Sequence, residues 1–170
     1  MMPYIPAAPL LGLVLFSASA MAAVTEGDAM TVTIKGSVVD APDCTVNTSN
    51  SVEVKFGDEL ITRMVDGENY KKEIEYSLVC NSLSSTALKL SIRGTLASFG
   101  SGLLYTTKTG LGIRLFSGSA GTTVLTPGSY VNFNGTANKP RLWAVPVAQN
   151  NATLTAGLFT GTGTMIIDYQ

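Results

Sequence analysis

The sequence predicts an all-β sandwich, and three observations carry that prediction. Apolar residues recur at every second position in a series of short segments, the period of a half-buried strand. Glycine and asparagine turns separate those segments, drawn from 17 glycines in 170 residues. No stretch shows the 3.6-residue period of an amphipathic helix, so the strands have no helical layer to pack on.

The segments follow in order. Met30 to Val39 alternates, and Ala41-Pro42-Asp43 breaks it just before Cys44. Ser51 to Phe56 alternates again through Val52, Val54 and Phe56, and Gly57-Asp58 marks a turn. Ile61 to Tyr70 is mixed, with Asp66-Gly67 as a second turn signal. Lys71 to Cys80 reads as one strand, with Ile74, Tyr76, Leu78 and Cys80 on one side. Ala87 to Arg93 places Leu88, Leu90 and Ile92 on one face. After a glycine turn region at Phe99 to Gly102, Gly112 to Phe116 is a short strand and Gly118 to Gly121 a turn. Tyr130 to Phe133 and Arg141 to Val147 are further strands, the latter carrying Trp143. Asn150-Asn151 turns the chain, and the last strand is expected from about Phe159 to Gln170.

The first 22 residues carry no charged side chain; Leu10 to Phe16 form a short apolar run and Ala20-Met21-Ala22 a small-residue cleavage pattern. That reads as a secretory signal, residues 1–22, although the leading Met1-Met2-Pro3-Tyr4 lacks Lys or Arg. The run falls short of the ~20 apolar residues that span a bilayer. About 150 residues then remain, enough for one domain. Net charge is −1. No basic block tracks phosphate, so nucleic-acid binding has no electrostatic support. So sparse a surface charge suits a subunit covered by others better than a free monomer.

The two cysteines are Cys44 and Cys80. In an exported chain an even count favours a disulfide, two free buried thiols being the other reading. The closed loop is worth roughly 4 kcal/mol on a chain-entropy account. Two cysteines without histidine make no zinc cage, and no metal or other cofactor is expected. Absence of histidine also removes Ser-His-Asp and Cys-His nucleophiles, so no catalytic residue is named and no enzyme expected. Asp58 with Glu59, and Glu73 with Glu75, read as solvated charge. Gly161-Thr162-Gly163 precedes no helix and is followed by no lysine, so it is not a phosphate loop. Asn47, Asn134 and Asn151 match N-x-[ST], a pattern that recurs by chance.

Two segments stand apart. Met30, Val32, Ile34, Gly36 and Val38 share one phase of a leading arm, and Phe159 to Gln170 closes the chain. A spare strand at the front suggests a protein that lends a strand to a neighbour. Burying four apolar side chains of that arm is worth roughly 6–12 kcal/mol gross. Ordering the arm costs about 1–2 kcal/mol per residue, so part of this survives as binding. Gly36 suits a shallow part of the partner groove; a bulge that eases strand twist is the other reading.

The arm followed by Pro42 and Cys44 resembles the N-terminal extension of chaperone–usher pilins. Cys80 closes an alternating strand, and Gly110-Leu111-Gly112-Ile113-Arg114-Leu115 is similar to the family's mid-chain glycine strand. Gly157, then Phe159, Met165 and Ile167, then the penultimate Tyr169, resemble the family's ending, closest to minor and adaptor subunits of type 1 and P pili. Gly161 and Gly163 depart from it, since bulkier residues often stand in that phase.

The resemblance implies an incomplete immunoglobulin-like β-sandwich that lacks its last strand and is completed by a donor strand. Residues 23–39 would be the donor extension and 40–170 the pilin domain. Met30, Val32, Ile34, Gly36 and Val38 would enter a neighbour. Gly157, Phe159, Met165, Ile167 and Tyr169 would mark the strand that receives a chaperone or subunit. The implied partners are a periplasmic chaperone, an outer-membrane usher and neighbouring pilins, with export through the periplasm to a cell-surface fimbrium that supports adhesion. A self-contained secreted β-sandwich that binds a ligand through its loops is the alternative.

Overall fold

The computed structural model describes residues 33–36, 38, 41–47, 51–81, 83, 85–150 and 153–170. The expected signal, and Met30 and Val32 of the arm, lie outside the described residues. The chain divides into two units, Met1–Ser37 and Val38–Gln170. In the first, residues 33–36 are exposed and in no regular element.

The body is built of strands β1 (Asp43–Val46), β2 (Lys72–Ile74), β3 (Leu78–Asn81), β4 (Ala87–Arg93), β5 (Leu104–Tyr105), β6 (Leu111–Ser117), β7 (Thr123–Val124), β8 (Tyr130–Asn134), β9 (Leu142–Ala148) and β10 (Thr164–Tyr169). Two 3-10 turns, Thr62–Met64 and Thr136–Asn138, are the helical elements among the described residues. None is long or apolar enough to cross a membrane.

One sheet has the order β10-β4-β8, the other β2-β9-β6-β5 with β7 also on β6, and β1 pairs with β3. Every ladder is antiparallel. Strict alternation in β4 sends Leu88, Leu90 and Ile92 inward, where they meet Ile113, Leu115, Leu142 and Ala144 of the facing sheet. β6 is buried on both faces. Its second face carries a smaller cluster of Leu103, Val145 and Val147, flanked by Phe99 and Phe116. Gly112 permits that cover, because a Cβ there would stand 3.1 Å from Leu103 Cβ. Pro146 sits opposite Ile113 beyond the last β2–β9 pair, where its missing N–H costs no β2 bond.

Several expected elements differ. The single strand expected over Lys71 to Cys80 is two strands in different pairings, β2 on β9 and β3 on β1. Its alternation persists through the switch, since Ile74, Tyr76 and Leu78 are all buried; the pattern reports the buried face, not the ladder. Cys44 lies directly opposite Cys80, and the two form a disulfide. The segment Ser51 to Phe56 keeps its alternation, with Val52, Val54 and Phe56 half-buried, yet it forms no ladder. The last strand starts at Thr164 rather than near Phe159. Before it, Gly161 bridges Thr106 of the opposite sheet, and Thr107 N–H donates to the Thr160 carbonyl at 2.9 Å. The chain then crosses to β4. A Cβ at Gly161 would stand 3.1 Å from the Tyr105 carbonyl, and one at Gly163 3.0 Å from Ile92 Cγ2. The two glycines that depart from the pilin pattern thus permit a close backbone crossing.

Candidate functional site: an open groove beside strand β10

β10 pairs with β4 along one edge, and no strand among the described residues pairs with the other. Facing it is the ladderless segment Ser51 to Phe56. Between them lies an open groove of about 1410 Å³. Val52, Val54 and Phe56 line one wall, and Phe159, Met165 and Ile167 the other. Ile92, Leu104, Ile113 and Leu115 form an apolar floor that is also the sandwich core. Both walls therefore present half-buried apolar side chains beside backbone N–H and C=O groups with no ladder. Such an edge aggregates unless it is covered.

The ends of the groove are fixed by specific contacts. Phe56 and Phe159 meet across it, ring centroids 5.9 Å apart and tilted by 35°. Lys108 Nζ donates to the Ala156 carbonyl at 2.8 Å, which ties down the approach to Gly157. Gly157 has φ 136, and a Cβ there would stand 3.1 Å from that ammonium. The neighbouring Leu158 is 93% exposed at the groove margin.

The expected groove residues are thus distributed. Met165, Ile167 and Tyr169 lie on β10, while Gly157 and Phe159 precede it. Gly157, Phe159, Met165 and Ile167 line the groove; Tyr169 packs against the main core. The wall of Val52, Val54 and Phe56 was not singled out as a groove element by the sequence reading, although the same alternation marks it. Of the arm, Ile34 and Val38 are 90% and 100% exposed, and Gly36 has open space around its Cα.

The remaining polar chemistry is structural. Tyr76 donates to the Pro140 carbonyl at 2.6 Å, and burial raises its phenol above the ordinary range. Glu73 accepts two hydrogen bonds from Arg141, which hold its carboxyl below the usual range. Asp66 is lowered likewise, by the backbone N–H groups of Asn69 and Glu68. No group of three His, Cys, Asp or Glu among the described residues is placed to hold a metal.

An antiparallel sandwich with an open groove along an edge that no described strand pairs has the form of a β-sandwich open to an added strand. The comparisons give that class a family. The fimbrial protein family model matches residues 32–170, and this chain belongs to that family. The fimbrial-like protein YfcR of Escherichia coli K12 is 38% identical over 137 residues, covering 78% of this chain and 77% of YfcR. YfcQ of the same organism is 31% identical over 142 residues, covering 82% and 86%. Among solved structures, the P pilus adaptor subunit PapF shares 26% identity with a TM-score of 0.55, over 77% of this chain and 98% of PapF. The P pilus rod subunit PapA, at 20% identity and a TM-score of 0.57 over 75% and 99%, shares the fold. The chain is a structural pilus subunit with the immunoglobulin-like pilin fold, and it associates with other pilin subunits.

Proposed function

We propose that this subunit joins its fibre by donor-strand exchange, giving the arm around Met30 to Val38 to one neighbour and receiving another neighbour's arm in its groove. The observation that carries this reading is the groove itself, with an apolar floor, alternate apolar side chains on both walls, and an edge of β10 that no strand among the described residues pairs. An added strand supplies both missing components, main-chain hydrogen bonds to the edge and alternate side chains for the floor. Ile34 and Val38 fit the donor role because they are exposed in their own subunit. A periplasmic chaperone would fill the groove first, and an outer-membrane usher would host its replacement by the next arm. The product is a cell-surface fimbrium that supports adhesion. The exposed edge counts against a self-contained ligand-binding sandwich, and a structural subunit needs no catalytic constellation.

The test is a truncation before Ser37 in cells that make the rest of the fibre. The shortened chain should still accept a neighbour's arm, so it should be found at the end of a fibre and never within one. Continued polymerisation through the truncated chain would refute the reading. So would a full chain that refolds alone, reversibly and monodisperse, without taking up arm peptide.

A further inference from the structure

We infer that Asn47 is the positioning residue that holds the Val52–Phe56 wall in place to receive a strand. The inference rests on the donor-strand reading above and adds to it the device that keeps the groove's weaker wall in register. That wall has no ladder, so something other than strand pairing must fix it. Its far end is held by Phe56 against Phe159. Val52 and Val54 pack against the core, and among the described residues the hydrogen bonds at its near end come from one side chain. Asn47 Nδ2 donates to the Ser51 carbonyl at 2.8 Å. Asn47 Oδ1 accepts from Ser77 N–H at 2.7 Å and from Ser77 Oγ at 3.1 Å. Asn47 N–H donates to the Ser77 carbonyl at 3.1 Å.

Ser77 lies between β2 and β3, where the chain changes pairing partners. Asn47 therefore replaces a missing bridge there and carries the connection on to the first residue of the wall. The residue type is demanded by the geometry. Ser77 N–H can only donate and the Ser51 carbonyl can only accept, so the side chain must offer both functions. Its backbone sits at φ 49, a left-handed conformation that asparagine tolerates better than most residues. Aspartate keeps the acceptor and loses the donor; glycine keeps the conformation and loses every side-chain bond. The match of Asn47-Thr48-Ser49 to N-x-[ST] is thereby given a different meaning, since the amide is already engaged within the fold.

The test compares the full chain with its Asn47→Gly, Asn47→Asp and Ser77→Ala variants, each titrated with a labelled synthetic peptide of residues 30–39. Amide hydrogen exchange is read in parallel at residues 52–56 and at Leu88–Ile92. Asn47→Gly should bind about fivefold more weakly, the worth of roughly one net hydrogen bond, with faster exchange at 52–56 and unchanged protection in β4. Asn47→Asp should fall between, and Ser77→Ala should resemble the unmodified chain. Equal binding by Asn47→Gly and the unmodified chain would overturn the role of Asn47 alone. So would a loss of protection as large in β4 as in the wall, because Asn47 would then serve general stability. Failure of the unmodified chain to bind either this peptide or the arm peptides of the subunits it co-assembles with would overturn the donor-strand reading itself, and this inference with it.

Discussion

Replacing Ile34 with alanine should weaken the arm's hold on a neighbouring groove about 60-fold. Ile34 is 90% exposed in its own subunit, so truncating it removes almost nothing from the donor and its effect falls on the complex. The change deletes three buried carbons at ~0.8 kcal/mol each, about 2.4 kcal/mol, and each 1.4 kcal/mol is tenfold in affinity. An unfilled cavity would increase the loss. Lys35 is the internal control, since it stands in the opposite phase and should remain in water when Ile34 is buried. Labelled peptides of residues 30–39, titrated against the full chain and read by fluorescence anisotropy, measure both effects. The reasoning is refuted if Ile34→Ala binds as tightly as the parent peptide. It is also refuted if Lys35→Ala loses as much, because the arm would then not bind with strand alternation.

Two further outcomes follow from the body. Gly163→Ala should lower the stability of the peptide-filled chain by about 1–3 kcal/mol, because its Cβ would press on Ile92 Cγ2 at 3.0 Å and the Arg93 carbonyl at 3.4 Å; an unchanged urea midpoint would show that the crossing can yield. Arg141 depresses the Glu73 carboxyl, so the pair's stabilisation is present above the unfolded glutamate pKa of about 4.3 and lost as pH falls through the lower folded value. The advantage of the parent over Glu73→Gln in thermal melts should therefore be visible at pH 6, small because both side chains are partly exposed, and gone in strong acid. An advantage independent of pH would assign it to packing instead.

The sequence was most legible where a strand lies inside the sandwich. The alternation of Leu88, Leu90 and Ile92 reports a face pressed against the other sheet, and burial alone enforces it. The same force misleads over Lys71 to Cys80. Burial there continues unbroken through Ile74, Tyr76 and Leu78 while the ladder changes from β9 to β1. Hydrogen-bond partners leave no mark in a hydrophobic period. β5 and β7, two residues each, are too short to show one. At the groove, Met165 and Ile167 were readable because they sit on a paired strand. Gly161 and Gly163 were read as departures from a pattern, because the reason for them is a backbone crossing formed only in three dimensions. The opposite wall carries the period of a strand without being one, since no ladder partner for it is found among the described residues.

The two walls are consequently unequal, and the inequality has a physical consequence. β10 is fixed by six register pairs with β4, so its other edge, which no strand among the described residues pairs, is a fixed template. The Val52–Phe56 wall, for which no ladder is found among the described residues, is held instead by the packing of Val52, Val54 and Phe56 on the core, by the Asn47 side chain and by the Phe56–Phe159 contact. An arriving strand would therefore meet one edge fixed by a ladder and one held by side-chain contacts. Hydrogen bonding to β10 sets register, because a one-residue slip would turn the donor's apolar face to water. Packing between the two walls would then bury that face. The lack of a ladder at residues 51–56 therefore fits the proposed acceptance of a strand, which would supply main-chain partners to that wall as well as to β10.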